Sequence, residues 1–270
     1  MVRLVFLDLD GTVLNSRGAI SPAVRSAVRR AHERGLLVSL ATGRSLVNAL
    51  PVARALGIRA PIIVHNGAKT ADPASGRTLA ARPLSPAAVS TLLTRLHKLS
   101  ERYLYFTNQP GPAVDVEGMY YNGAWDMARL IPFLSTDQTY RLPDRMPGSP
   151  AGQVLRALAA VNLEYAPAVT ADQDQYKIIP WGQDSRALLD VVAPGVSKGA
   201  AMRAVADNLH VPLQAVAAVG DQMNDLDMIR AAGLGVAMGN AISEVQAAAQ
   251  RIIGSHDDGG VAAFLNDLSE

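Results

Sequence analysis

The chain has 270 residues, a formal net charge of +1, and 49% hydrophobic against 18% charged residues. This is a globular composition, with enough chain for one large domain or two ordinary ones. The near-neutral charge argues against a nucleic-acid partner. The lack of cysteine excludes disulfides, thiolate zinc sites and a cysteine nucleophile. The opening apolar run is too short for a signal peptide, and no stretch reaches the roughly 20 apolar residues of a membrane helix. We therefore expect a cytoplasmic protein with no membrane contact.

The first third of the chain alternates short apolar runs with helical patterns. Val2–Leu7 lacks polar–apolar alternation, which is typical of a strand buried on both faces of a parallel sheet. Ser21 and Pro22 mark the start of a helix and Gly35 marks its end. The same patterns predict strands at Leu36–Ala41 and Pro61–Val64 and a helix at Val47–Leu56.

The last third resumes the alternation, and the whole pattern indicates an α/β fold with a doubly wound parallel sheet. The predicted elements are a helix from about Gly199, a strand at Ala215–Val219, a helix at Asn224–Ala232, and short strands near Val236 and Ile252.

The middle of the chain has a different composition. Eleven of the 13 aromatic residues lie between Tyr103 and Trp181, and proline and glycine cluster in the same stretch. Such a shift predicts a second domain inserted into the first. We place it at residues 83–190, inside a core formed by residues 1–82 and 191–270, and expect most of its aromatic side chains to fill its own core.

Two aspartates, Asp8 and Asp10, follow the first predicted strand and are themselves followed by Gly11 and Thr12. In an extended chain, residues two apart point to the same side. Open α/β sheets bind ligands at the carboxyl ends of their strands. Paired buried carboxylates need a cation or a proton to offset their repulsion, and Mg²⁺ suits carboxylates together with phosphate oxygens.

Three further junctions carry groups suited to phosphate or Mg²⁺. Thr42 and Gly43 offer a hydroxyl and free amides after the second strand. Lys198, one of only four lysines, begins a helix. Asp221 follows another strand, with Asn224 and Asp225 at the next helix start, where both also suit helix capping. All four junctions are expected at one edge of the sheet.

These segments resemble the four motifs of haloacid dehalogenase-type phosphatases, in order. The matching stretches are DLDGT, ATGR, the lysine before Gly199, and GDQMND. Further similarity to the Cof-like branch with a type IIB (C2B) cap lies in the segments HNGA, PGVSKG, VAMGNA and DGGV. About 130 residues separate Asn66 from Lys198, against about 30 between Thr12 and Thr42, so the inserted cap is expected between the second and third motifs.

The resemblance implies a Mg²⁺-dependent phosphatase that acts on a small phosphorylated metabolite, such as a sugar phosphate, pyridoxal phosphate or a flavin mononucleotide-like ester. In that reading Asp8 attacks phosphorus and forms an aspartyl-phosphate, and Asp10 is the general acid and base. Mg²⁺ is held by Asp8, the Asp10 carbonyl and Asp221. The remaining implied contacts to the phosphate oxygens come from Thr42, Lys198, Asn224 and the amides of Leu9 and Gly43. Asp225 is either an outer metal ligand through water or an orienter of Lys198.

Two alternatives stay open. A phosphosugar mutase of the same superfamily keeps both aspartates and a similar cap, and a degenerate relative would bind a phosphometabolite without turnover. A dehalogenase is disfavoured because a leaving halide needs no acid at Asp10, and a transport ATPase because Leu9 stands where its lysine would be.

Overall fold

The computed structural model of the chain describes residues 1–99, 102–109, 116–121, 138–141, 153–165, 167, 176–181 and 186–268. The chain forms two compact units. The first comprises Met1–Gly43, Ala49–Leu79 and Ser197–Glu270, and the second comprises Arg44–Asn48 and Ala80–Val196. No helix in the described ranges has the length and apolar character needed to cross a bilayer.

The strands are numbered along the chain. They are β1 (Leu4–Leu7), β2 (Leu37–Leu40), β3 (Ile62–Val64), β4 (Lys69–Ala71), β5 (Thr78–Ala81), β6 (Arg102–Gln109), β7 (Val116–Tyr121), β8 (Gln138–Arg141), β9 (Gln153–Asn162), β10 (Lys177–Trp181), β11 (Arg186–Val192), β12 (Val216–Gly220), β13 (Leu234–Ala237) and β14 (Arg251–Ile252). The described α-helices are α1 (Pro22–Glu33), α2 (Leu46–Ala55), α3 (Pro86–Lys98), α4 (Lys198–Asn208), α5 (Leu226–Ala231), α6 (Ser243–Ala248) and α7 (Gly260–Asp267).

A five-stranded parallel sheet forms the centre of the first unit. Its strand order is β14–β13–β12–β1–β2, and every neighbouring pair is parallel. All four residues of β1 are buried, as its apolar sequence predicts for a central parallel strand. Leu7 pairs with Leu40 on one side and with Val219 on the other. The carboxyl ends of β1, β2 and β12 therefore lie side by side.

Helix α1 shows how local sequence sets these elements. The Ser21 hydroxyl accepts a hydrogen bond from the Val24 amide at 3.2 Å, which satisfies one of the free donors of the first turn. Gly35 follows the helix with a φ of +80°, a left-handed conformation that glycine adopts without steric cost. The predicted α/β fold with a parallel sheet is confirmed.

The third predicted strand differs from the others in its partners. β3 pairs antiparallel with β4 in a small three-stranded sheet of order β3–β4–β5, and a single bridge between Ala41 and Ile63 joins it to the edge of the parallel sheet. The chain reverses after β3 because His65 and Asn66 adopt left-handed conformations, with φ of 50° and 54°. This reversal places Asn66 near the end of β2.

The second unit contains a six-stranded sheet of order β10–β11–β9–β6–β7–β8, antiparallel except for the β7–β8 pair. Tyr105, Phe106 and Tyr176 are buried, in line with the expectation that aromatic side chains fill this core. A buried ion pair between Arg156 and Asp190, at 2.6 Å, joins β9 to β11. The proline-rich stretch 142–150 and most of the stretch 108–112 lie outside the described residues.

Candidate active site

A buried lysine joins two buried aspartates at the carboxyl edge of the parallel sheet. Lys198 Nζ lies 2.6 Å from Asp8 Oδ1 and 2.6 Å from Asp225 Oδ1, and the lysine side chain is only 1% exposed. Asp8 follows β1 directly, and Lys198 is the first residue of α4, whose N-cap Ser197 accepts from the Ala200 amide. Burial alone would lower the pKa of Lys198, but the carboxylates of Asp225 and Asp8 outweigh it and raise that pKa above its ordinary value.

Asp225 uses both carboxylate oxygens. Oδ1 accepts from Lys198, while Oδ2 accepts from the backbone amides of Asp221 at 2.9 Å and Gln222 at 3.0 Å. The side chain therefore caps the turn Met223–Asp225 and orients the lysine at the same time. Of the two roles that the sequence left open, this geometry favours the orienter.

Asp221 provides the observation that points to a cation. Its Oδ1 atom is buried and has no hydrogen-bond partner among the residues that the structure describes. One oxygen from each of Asp8, Asp221 and Asp225 lies within 4.8 Å of the others. Burial and the neighbouring Asp225 carboxylate raise the pKa of Asp221 to about 7. The single ammonium group of Lys198 does not balance the charge of three ionised carboxylates. The carboxylate oxygens of Asp8 and Asp221 therefore suit a hard divalent cation.

The pKa of Asp8 reports the same imbalance of charge. Burial raises this pKa well above 3.8, Lys198 lowers it, and the carboxylates of Asp225, Asp221 and Asp10 raise it further. A bound divalent cation would act in the same direction as Lys198 and favour the ionised carboxylate.

Asp10 lies near this cluster, after a turn that follows β1. β1 ends at Leu7 and the chain turns at Leu9, whose carbonyl accepts from the amide of Leu14 at 2.9 Å. Leu9 therefore lies in a turn that follows β1, and Asp10 forms a β-bridge with Leu14. Asp10 is nevertheless close enough to raise the pKa of both Asp8 and Asp221.

A second group of residues surrounds the end of β2. Thr42 is buried, its amide donates to the Ile63 carbonyl at 2.9 Å, and its own carbonyl accepts from the Asn66 amide at 3.0 Å. The Asn224 amide group donates to Asn66 Oδ1 at 3.0 Å. A Cβ atom on Gly43 would lie 3.0 Å from the same oxygen, so only a residue this small fits comfortably.

The loop His65–Gly67 brings the two groups together. A Cβ atom on Gly67 would lie 2.2 Å from the Ser197 carbonyl oxygen and 3.1 Å from the Lys198 nitrogen, which shows how tightly this loop packs on the start of α4. Thr42 and Asn224 are thus both hydrogen-bonded to Asn66, in the loop that packs against the start of α4. The predicted amide donors of Leu9 and Gly43 lie in the turns that directly follow Asp8 and Thr42.

The sequence predicts no role for Asn66, although the segment His65–Ala68 resembles the Cof-like branch. The available signal was an Asn-Gly pair directly after an apolar run, which marks a chain reversal. Its hydrogen bond with Asn224 spans 158 residues of chain and is invisible without the fold.

The chain matches a family model described as haloacid dehalogenase-like hydrolase over residues 5–265. It is 30% identical to the HMP-PP phosphatase of Cronobacter sakazakii over 255 residues, which cover 92% of this chain and 88% of that protein. It is 28% identical to the pyridoxal phosphate phosphatase YbhA of Escherichia coli over 97% of both chains. A haloacid dehalogenase-like hydrolase from Bacillus subtilis has a similar structure, with a TM-score of 0.81, 25% identity, and coverage of 99% and 100%.

Proposed function

The chain belongs to the haloacid dehalogenase-like hydrolase family and is a phosphatase, and we propose that it hydrolyses small phosphate monoesters with Mg²⁺ as cofactor and Asp8 as nucleophile. The family match confirms the resemblance to haloacid dehalogenase-type phosphatases that the sequence indicates. The observation that carries the proposal is Lys198, which lies 2.6 Å from Asp8 and 2.6 Å from Asp225. Beside it, Asp221 keeps a buried oxygen without a hydrogen-bond partner among the described residues.

The substrate that we propose is a small phosphorylated metabolite. The relatives named above act on HMP-PP and on pyridoxal phosphate. An inserted second domain suits a small leaving group, since a domain that closes over a site limits what can be enclosed. We assign this cap role to residues 83–190, and the core role to residues 1–82 and 191–270.

Mg²⁺ would be held by the carboxylates of Asp8 and Asp221 and by the Asp10 carbonyl. Asp225 accepts hydrogen bonds from Lys198 and from the backbone amides of Asp221 and Gln222, and we assign it the role of orienting Lys198. When bound, Mg²⁺ offsets the repulsion between the anionic nucleophile and the anionic ester.

The first half of the reaction forms a covalent intermediate on Asp8. A carboxylate oxygen of Asp8 bonds to phosphorus while the bond from phosphorus to the ester oxygen breaks. Asp10, protonated at this stage, gives its proton to the departing oxygen, which leaves as an alcohol. Lys198 contacts Asp8 and orients the attacking carboxylate.

The second half returns the enzyme to its starting state. The Asp10 carboxylate takes a proton from water as the water oxygen bonds to phosphorus and the bond to Asp8 breaks, which releases inorganic phosphate. Thr42 and the amides of Leu9 and Gly43 hold phosphate oxygens in both halves. Asn224, held in place by Asn66 at 3.0 Å, borders the same position.

The test is phosphate release from a panel of sugar, pyridoxal and aryl phosphates, with Mg²⁺ and with EDTA, using the wild-type protein and Asp8→Asn. We expect release only with Mg²⁺ and only from the wild type. The amide of Asp8→Asn cannot attack, but it keeps the shape of the site and leaves substrate binding measurable by calorimetry.

The matched control is Asp207→Asn, the same chemical change at an exposed position of α4 in the same unit. This variant should keep wild-type turnover. Full activity in Asp8→Asn would overturn the nucleophile assignment. Binding without turnover in the wild type would point to a phosphometabolite-binding protein, and turnover that needs a sugar bisphosphate would point to a mutase.

A further inference from the structure

Asn240 lies far from Gly11 in sequence and makes a direct hydrogen bond to it. The side-chain amide nitrogen of Asn240 donates to the Gly11 carbonyl oxygen at 2.9 Å. The side-chain oxygen accepts from the backbone amide of His256 at 3.0 Å. Both ends of the Asn240 side chain are thus used, and its partners lie 229 and 16 residues away, so its role is not local capping of the turn after β13.

Gly11 is in direct contact with the proposed metal ligand. It has a φ of +78°, and a Cβ atom there would lie 2.3 Å from Asp221 Oδ2 and 2.9 Å from Asp221 Cγ. The backbone of Gly11 is therefore packed against this carboxylate. A shift of Gly11 would displace the Asp221 carboxylate that it contacts. It would also displace Asp10, which directly precedes Gly11 in the chain.

The segment that Asn240 belongs to is itself tightly held. The Gly239 amide donates to the Gly254 carbonyl, and a Cβ atom on Gly239 would lie 2.9 Å from the Ile253 carbonyl oxygen. The same loop, residues 253–257, makes a second contact with the segment after β1, because the Ser16 amide donates to Asp257 Oδ1 at 2.9 Å. Ser16 is thus bonded directly to this loop, and Gly11 is linked to it through the side chain of Asn240.

We propose that Asn240 is a positioning residue for the reaction: through the Gly11 carbonyl it sets the distance between the Asp10 turn and Asp221. The inference rests on the proposed function, because Asp10 is the acid and Asp221 the metal ligand of that mechanism. Asn240 does not itself touch the phosphate. Its loss should impair chemistry and Mg²⁺ binding while leaving substrate binding largely unchanged.

The experiment compares the wild type with Asn240→Ala and Asn240→Asp. The alanine variant loses both hydrogen bonds. The aspartate variant keeps an acceptor for the His256 amide, but it replaces the donor to Gly11 by a carboxylate oxygen that repels the Gly11 carbonyl. The control is Asn266→Ala, since Asn266 also makes two hydrogen bonds, with Arg30 at 3.2 Å and 2.9 Å, away from the cluster.

Two quantities are measured: kcat and KM for an aryl phosphate, and the rise in Tm with increasing Mg²⁺ in the absence of substrate. We expect kcat to fall by about tenfold to a hundredfold in both Asn240 variants, because small displacements of reacting groups are costly. KM should stay within about threefold of the wild-type value, as a change confined to the transition state predicts. Asn240→Ala should need several times more Mg²⁺ to reach the same rise in Tm as the wild type, and Asn266→Ala should match the wild type in both quantities.

Wild-type kcat and Mg²⁺ response in Asn240→Ala would overturn the inference and leave the proposed function standing. So would equal losses in Asn240→Ala and Asn266→Ala, because they would show a general effect of lost hydrogen bonds. A wild-type protein that neither releases phosphate with Mg²⁺ nor gains Tm from it would overturn both proposals together.

Discussion

Replacing Lys198 by methionine tests whether the buried charges of the site depend on one another. The variant keeps most of the side-chain volume but removes the ammonium that lies 2.6 Å from both Asp8 and Asp225. Removing one partner of a buried ion pair costs about 3–5 kcal/mol of unfolding free energy, because the remaining charge stays buried. At about 2–4 °C per kcal/mol for a chain of this size, Tm should fall on the order of 10 °C at pH 7 in EDTA.

The same variant has a predictable dependence on pH. Lys198 lowers the pKa of Asp8, so its removal raises that pKa further above the ordinary value of 3.8. A carboxyl group with a higher pKa in the folded state destabilises the protein above its unfolded pKa, and the cost grows as pH rises through the folded pKa. The stability gap between variant and wild type should therefore be smaller at pH 4 than at pH 7.

Calorimetry or urea unfolding at pH 4, 5.5 and 7 measures this gap, with Lys98→Met as the control because Lys98 is exposed at the end of α3. The control should differ from the wild type by less than about 0.5 kcal/mol. A gap in Lys198→Met that is equal at pH 4 and pH 7 would refute the electrostatic reasoning, since a pure packing defect does not titrate.

Two further predictions concern the turn after β1. Gly11→Ala should cost about 1–2 kcal/mol of stability through its left-handed backbone and also lower kcat more than tenfold, because the new Cβ atom would meet Asp221 at 2.3 Å. Gly18→Ala has a similar φ of +70° but nothing within 4 Å, so it should lose stability alone, and equal kcat in the two variants would contradict the contact. Asp10→Ala should slow release of sugar alkoxides more than of aryl phenolates in paired kcat measurements, and equal losses on both esters would argue against its role as acid.

Much of the first unit follows from local sequence. The apolar run Val2–Leu7 contains β1 and the run Leu36–Ala41 contains β2, and the Ser21–Pro22 pair marks the start of α1. The strand ends differ from prediction by at most two residues, because hydrogen-bond partners, not side chains, decide where pairing stops. The carboxyl-edge rule then placed Asp8, Thr42 and Asp221 together without any knowledge of distances.

Other parts of the site depend on distances that local patterns do not contain. The link between Asn240 and Gly11 joins residues at opposite ends of the chain, and the contact of Gly67 with Ser197 depends on backbone packing alone. The local sequence also does not determine the turn at Leu9, because Asp8–Asp10 reads equally well as the end of a strand or as an acidic turn after it. In the second unit, composition indicates a separate core but contains no signal for the sheet order or for the Arg156–Asp190 pair.

The position of β1 at the centre of its sheet has a consequence for how the protein is made. During synthesis β2 emerges soon after β1, but the other neighbour, β12, begins at Val216, beyond the whole second unit. Until then one side of the apolar strand Leu4–Leu7 is an unpaired edge, which is a template for pairing with another chain. A ribosome that stalls before residue 216 would release a fragment with this edge open. We expect such fragments to aggregate or to bind chaperones, whereas a chain that extends beyond β12 closes this edge itself.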